Sequence, residues 1–235
     1  MQSTDRAVGA LARLLDHGMS GEPTERTRVR RIPEKAAYDR ATLNKILDDA
    51  LICHVGFVED GVPFVIPTMH ARVGRTLYFH GSPASRMLRL MKRGAQVTVA
   101  VTILDGIVAA RSVFHHSMHY RSAVVMGQAR VVDDPAEREV AFEAIANAAL
   151  PGRWDEARHP SRSEDKGTLL VAVPIEEFSS KVSENDVGDE PEDYGLPIWA
   201  GVIPLSLTPG TPEPDDRLVN GIVVPPSVRR FVGEE

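Results

Sequence analysis

Apolar positions along the chain change period several times, and each change marks an element. Leu11, Leu14 and Leu15 repeat at helical spacing ahead of a polar stretch from Ser20 to Arg31, which predicts an N-terminal helix and linker over residues 1–30. With Asp39 as N-cap, Leu43, Ile46 and Leu47 predict a helix running to Ala50. The pattern then turns to strands. Residues 51–58 predict one, Asp60-Gly61 a tight turn that needs positive φ angles, and residues 62–72 the partner strand. Pro63 and Pro67 lack the amide hydrogen that a central strand donates, so this strand belongs at a sheet edge or carries a bulge. Residues 76–80, 97–103, 121–132 and 168–173 continue the set. Before the last of these, Asp134, Pro135 and Glu137 open a helix that carries Val140, Phe142, Ile145 and Ala149 and is closed by Pro151-Gly152. Strands in this number, with few helices and no βαβ alternation, predict a small barrel or sandwich and exclude a doubly wound nucleotide-binding fold.

The core domain is thus expected over residues 31–182. The remainder, 183–235, holds eight of the 17 prolines and opens on an acidic run from Glu184 to Asp193, so it cannot form regular core. Its apolar stretch Ile198-Trp199-Ala200-Gly201-Val202-Ile203-Pro204-Leu205 predicts an arm docked on the barrel or on a second subunit.

Composition narrows the class of function. At 43% hydrophobic and 26% charged residues, the chain reads as an ordinary globular protein. No apolar run approaches the roughly 20 residues of a membrane span, and no apolar leader opens the sequence, which predicts a cytoplasmic protein with no membrane partner. A net charge of -6 argues against nucleic acid bound over a broad surface. The single cysteine, Cys53, excludes an intramolecular disulfide and a cysteine-rich zinc site, and its neighbours Ile52 and Val55 predict a buried thiol. His115, His116 and His119 have metal-ligating chemistry, but no carboxylate accompanies them in a segment that reads as loop entering strand, and no metal centre is expected.

Candidate chemistry concentrates in Leu77-Tyr78-Phe79-His80-Gly81-Ser82-Pro83-Ala84-Ser85-Arg86-Met87-Leu88. A strand ends at His80, a short hydroxyl-rich loop follows, and a helix starts near Ser85 with Arg86 in its first turn. Backbone amides, hydroxyls and one guanidinium can converge there on a phosphate. Arg121 and Ser122 open a later apolar strand, where a charge at the barrel rim needs an anionic partner.

Taken in order, Pro67-Thr68-Met69-His70-Ala71, then Leu77 to Ser82 with Ser85-Arg86, then Tyr120-Arg121-Ser122 before Val124-Val125-Met126-Gly127, resemble the flavin-binding split barrels. These are relatives of pyridoxamine 5′-phosphate oxidase, and the likeness is to the branch that includes the nitroimidazole-resistance reductases. It spans roughly residues 30–205. The resemblance implies a mainly β fold with flanking helices, a six-stranded antiparallel split barrel, and a homodimer with FMN sites at the subunit interface. It implies that Thr68, Met69 and His70 line the isoalloxazine ring, that His80, Gly81 and Ser82 turn beside the flavin and its ribityl chain, and that Ser85 and Arg86 hold the phosphate, which Arg121 and Ser122 also approach. Trp199 would cover the partner's flavin. Three departures matter. Met87 stands where the pyridoxamine oxidases carry a phosphate-binding lysine, one extra residue separates His80 from Ser85, and Arg217-Leu218-Val219 is not their Arg-Leu-x-Pro ending, so vitamin B6 oxidation is not expected.

The expected activity is an FMN-dependent oxidoreduction in which NADH or NADPH reduces the flavin and a small acceptor takes the electrons, with His70 or His80 polarising the acceptor or supplying a proton. Two other readings stay open: a non-catalytic flavin-binding or storage protein, and a split barrel holding haem or a deazaflavin, the first of these prompted by the histidines at 115–119.

Overall fold

The computed structural model describes residues 23–234, so the helix expected around Leu11, Leu14 and Leu15 lies outside the described residues. In chain order the strands are β1 (Ala36–Ala37), β2 (Cys53–Glu59), β3 (Val62–Thr68), β4 (Ala71–Val73), β5 (Thr76–Gly81), β6 (Gln96–Ala109), β7 (Ser117–Gln128), β8 (Arg130–Val131), β9 (Leu169–Pro174), β10 (Glu177–Ser183) and β11 (Gly201–Pro204). The helices are α1 (Arg40–Asp49), α2 (Arg86–Lys92), α3 (Pro135–Ala149), α4 (Arg153–Glu156), α5 (Arg162–Gly167) and α6 (Pro226–Val232). Local chemistry sets their starts. Asp39, Ser85 and Asp134 each accept a hydrogen bond from a first-turn amide, of Thr42, Leu88 and Glu137 respectively, which satisfies a donor that the helix itself leaves unpaired.

All ladders are antiparallel. The larger sheet runs β1-β10-β7-β6-β2-β3, with β11 also on β6, and the smaller runs β4-β5-β9-β8. This is the expected antiparallel split barrel, with more strands than the sequence pattern resolved. The β2–β3 hairpin turns through Asp60 and Gly61 at φ 52 and 79, and β3, with its two prolines, is the edge of the larger sheet. The strand expected over 62–72 breaks at Met69–His70, where the chain crosses from one sheet to the other. β6 outruns its expected length and β7 starts four residues earlier than expected and ends at Gln128, because the ladder continues past a bulge between Leu104 and Gly106 that interrupts the alternation read from sequence. Residues 117–120, read as loop, are therefore strand.

One core lies between the sheets, with Leu43, Ile46, Leu47, Val55, Leu77, Phe79, Val99, Val125 and Val173 buried together. A second, smaller core lies between the smaller sheet and α3, around Tyr78, Val132, Ala141, Ile145 and Leu170. Strand alternation divides β5 between them: Leu77 and Phe79 enter the first, Tyr78 the second. Gly127 sits where a Cβ would meet the Pro174 carbonyl oxygen at 2.2 Å, so only glycine lets β7 pass the β9–β10 connection. No helix among the described residues is long and apolar enough to cross a membrane.

Candidate functional site

The structure separates the sequence-predicted residues into distinct places. At the end of β5, Ser85 N–H donates to the Ser82 carbonyl at 2.9 Å and Ala84 N–H to Ser82 Oγ at 3.2 Å, closing the loop onto α2. Arg86 leans back over the β2–β3 hairpin, with its guanidinium 4.5 Å from the Phe64 ring centroid and its Nε 3.4 Å from Glu59. Arg93 reaches the same carboxylate at 3.5 Å, so two cations share one anion, and this corner has positive charge to spare for a phosphate.

Thr68, Met69 and His70 form the crossing between the sheets. The Thr68 carbonyl accepts the Cys53 thiol at 3.5 Å, and burial pushes that thiol up to about 12, so Cys53 is an inert core residue. Met69 is exposed. His70 is buried at 3% exposure, and its Nε2 pairs at 2.9 Å with the Leu47 carbonyl in the last turn of α1. That carbonyl needs a donor, so Nε2 carries the proton and His70 acts as a cap on α1, with Nδ1 left unpartnered. Burial lowers its proton affinity, though the Leu47 contact opposes this. Of the two histidines considered for proton transfer, His80 is the more exposed, with its residue surface open to solvent on one side and desolvated by the cleft wall on the other.

Arg121 stands elsewhere, at the barrel end. Its Nε and one terminal nitrogen grip Asp105 at 2.9 Å each, and the other terminal nitrogen bonds Asp49. Asp105 occupies the β6 bulge, which is what aims it at Arg121. The three charges floor a cleft of about 510 Å3 walled by Leu51, Ile52, Leu104, Leu205 and Leu207. Here the guanidinium is already matched by two carboxylates. Ser122 alternates to the opposite face, level with Thr102 and Lys181 in the neighbouring strands.

The arm beyond Ser183 lies along the β6–β7 hairpin of its own chain. Asp189 is its clamp: the carboxylate is fully enclosed, accepts the Arg111 and Ser112 amides at 3.0 and 3.1 Å, and pairs with the Arg111 guanidinium at 3.1 Å. His115 lies 3.5 Å from Glu190 and His119 Nε2 2.8 Å from the Asn185 carbonyl, while His116 Nδ1 bonds the Ser112 carbonyl within the hairpin. Among the described residues no group of histidines, cysteines or carboxylates could hold a metal ion by itself. Trp199 is 67% exposed, with its ring edge against Gly201 at the start of β11.

A further cleft was not legible in sequence. His80 shares the α3-facing side of β5 with Tyr78 and looks into a space of about 280 Å3 lined by Phe142, Ile145, Ala146, Arg153, Trp154 and Arg158. An adjoining space of about 430 Å3 shares Phe142, Trp154, His159 and Pro160 and adds Arg138 and Arg162. The Trp154 and His159 rings stack at 4.0 Å, and His159 Nε2 lies 3.2 Å from the Trp154 carbonyl. Burial lowers the proton affinity of His80, and no described residue hydrogen-bonds its ring. The available signal was the run of aromatic, imidazole and arginine residues from Arg153 to Arg162, just after the glycine that ends the longest helix.

With this geometry in hand, comparison with known proteins gives a consistent picture. A family model described as pyridoxamine 5′-phosphate oxidase matches residues 39–182. The structure of the flavocytochrome Anf3 from Azotobacter vinelandii superposes with a TM-score of 0.83 at 35% identity, covering 89% of this chain and 97% of that one. The FAD and heme binding protein from Mycobacterium smegmatis does so with a TM-score of 0.80 at 39% identity, covering 84% and 97%. A putative 5-nitroimidazole antibiotic resistance protein from Bacteroides thetaiotaomicron shares the fold, with a TM-score of 0.54 at 21% identity over 63% of this chain and 86% of that one. No curated protein matches the sequence.

Proposed function

The chain belongs to the pyridoxamine 5′-phosphate oxidase family, and from that premise we propose that it is a flavin- and haem-binding electron-transfer protein whose flavin is a dinucleotide. The observation that carries this reading is the 35% and 39% identity, sustained over 89% and 84% of the chain, to a flavocytochrome and to an FAD and heme binding protein. A flavin supplies two-electron acceptance with one-electron release, and a haem supplies one-electron steps. FMN, the cofactor implied by sequence resemblance, contains the same ring, ribityl chain and first phosphate, so the residues assigned to those parts serve either flavin.

In this reading the Ser82–Arg86 corner holds the flavin phosphate, and the Thr68–Met69 crossing presents backbone groups to the ring edge. Arg86 is free to turn toward an anion because Arg93 stays with Glu59. Arg86→Ala is expected to weaken flavin binding about tenfold, the worth of one charge-assisted hydrogen bond, measured by fluorescence titration of the apoprotein. Unchanged affinity in a folded variant removes Arg86 from the phosphate site.

A second copy of the chain completes the site. The outer face of the larger sheet joins His54, Gly56 and Val58 of β2 to Pro63, Val65 and Pro67 of β3 and to Thr98 and Ala100 of β6, with Val58 and Val65 59% and 64% exposed. Small and apolar side chains on a sheet face suit close packing against an identical face. Trp199 would then cover the flavin of the partner. Trp199→Ala is expected to raise the flavin Kd about 3- to 10-fold, the worth of one aromatic stacking contact. A lowered Tm with flavin retention unchanged assigns Trp199 to arm anchoring instead.

The whole reading is tested by the visible spectrum of the purified protein, with released cofactors identified by mass, followed by anaerobic mixing with NADH or NADPH. A flavin spectrum with a haem Soret band, both bleached or shifted by a nicotinamide, is the expected result. Bound cofactors that no donor reduces would leave a storage protein, and a colourless chain that takes up neither added FAD nor haemin would overturn the reading.

A further inference from the structure

We propose that the cleft between β5, α3 and α4 is the haem pocket and that His80 is the side chain that coordinates the iron. The inference rests on the flavin-and-haem reading above. A haem asks three things of a chain: an imidazole with an uncommitted nitrogen, apolar walls for the macrocycle, and cations near its two propionates.

The described histidines separate on these requirements. His70 is buried against α1 with Nε2 committed to the Leu47 carbonyl. His119 Nε2 is committed to Asn185, and His115 faces Glu190. His116 sits on the hairpin tip, beside the fully open Val113 and Phe114 rather than in a cavity. His159 has Nε2 on the Trp154 carbonyl and its face against the indole. His54 lies on the outer sheet face level with Pro67 and Ala100. His80 is bonded to no described residue and opens into a cleft whose walls are Phe142, Ile145, Ala146 and Trp154.

Cations are present at the same place. Arg153 and Arg158 line the cleft, and Arg138 and Arg162 line the space that adjoins it across Phe142 and Trp154. Arg153 is only loosely held, 3.5 Å from a Glu156 that also serves Ser227 of α6, so it can turn to a propionate without stranding that carboxylate. Strand alternation then explains how one strand end serves two groups. His80 faces α3 on one side of β5, while the loop that follows, Gly81 to Arg86, turns to the corner assigned to the flavin phosphate. The two groups are thereby joined through adjacent residues of one chain.

The test compares the wild-type protein, saturated with haemin and FAD, with His80→Ala and His116→Ala, reading haem and flavin stoichiometry and the Soret spectrum. His80→Ala is expected to lower haem retention at least about tenfold, as loss of a ligand exceeds loss of the groups that merely orient one, with flavin content unchanged. Added imidazole is expected to restore the Soret band in His80→Gly, which a purely structural role would not allow. His116→Ala, on the hairpin tip, is expected to keep the wild-type band. If His80→Ala does not fold, His80→Met reports instead, through a shifted Soret maximum; an unshifted one overturns the assignment. A wild-type protein that shows flavin but takes up no haem removes the haem reading and this inference with it. A wild-type Soret band that survives unchanged in His80→Ala overturns the ligand alone.

Discussion

An Arg121→Ala variant is expected to be less stable than the wild type by about 2–3 kcal/mol, with little change in flavin affinity. The guanidinium ties the C-terminal end of α1, through Asp49, to the β6 bulge, through Asp105. Removing the arginine leaves Asp105 without its cation and Asp49 with Lys45 alone, a loss of about 3–5 kcal/mol when fully buried and less here, where the Arg121 side chain is 21% exposed. Asp49 is already shaped by the arrangement. Burial pushes its carboxyl up, but hydrogen bonds from Lys45 and Arg121 outweigh this and hold it below the ordinary range. Urea unfolding measures the stability, and fluorescence titration the flavin affinity. Arg121→Lys should fall between the two, since a lysine keeps the charge but cannot grip Asp105 with two nitrogens. The opposite pattern, stability retained and flavin affinity lost, would return Arg121 to the phosphate-binding role suggested by its place in the sequence.

Asp189→Ala is expected to lower Tm by roughly 5–10 °C and to open residues 185–205 to proteases. The carboxylate satisfies two backbone amides and the Arg111 side chain at once, and the Nε of that arginine already lacks a partner. Without Asp189 these donors are left enclosed and unpaired. Contacts that remain include the four-residue β11 ladder on β6, the Asn185 carbonyl at His119, Glu190 beside His115, and Tyr194 against Arg111. The pH dependence follows from the same contacts. Burial pushes the Asp189 carboxyl up, but the Arg111 and Ser112 amides and the Arg111 guanidinium outweigh it, so the folded state holds the proton more weakly than the unfolded chain. Stability from the clamp is therefore complete above the unfolded carboxylate value of about 4 and disappears as pH falls through the lower folded value. Wild-type protein should lose protease protection of the arm in acid, and Asp189→Ala should be unprotected at every pH. Equal cleavage of both proteins at neutral pH would mean that other contacts hold the arm.

Much of this protein follows from short-range patterns. The caps Asp39, Ser85 and Asp134 and the Asp60-Gly61 turn were legible because each depends on residues within four positions of itself. So did the edge position of β3, since Pro63 and Pro67 exclude every central place in a sheet whatever the rest of the chain does. The loop from His80 to Arg86 was legible as a tight strand-to-helix connection for the same reason: its hydroxyls, its amides and its arginine are neighbours in sequence.

Other assignments depended on partners far along the chain. His70 looked like a cofactor-side histidine, and only the packing of α1 beside the sheet crossing gives it the Leu47 carbonyl to cap. Arg121 looked unpaired because Asp49 and Asp105 are 72 and 16 residues away, and one of them is aimed by a bulge. The cleft at His80 is built from β5, α3 and the turn of α4, and its aromatic wall is invisible until Trp154 is folded back beside a histidine 74 residues before it. Residues 30–205 thus carried the family and the antiparallel class by themselves, because backbone geometry is a local property. Which charges neutralise one another, which histidine is left free and where the arm is clamped were decided by tertiary structure, because pairing energies depend on distance in space and the chain brings those groups together only on folding.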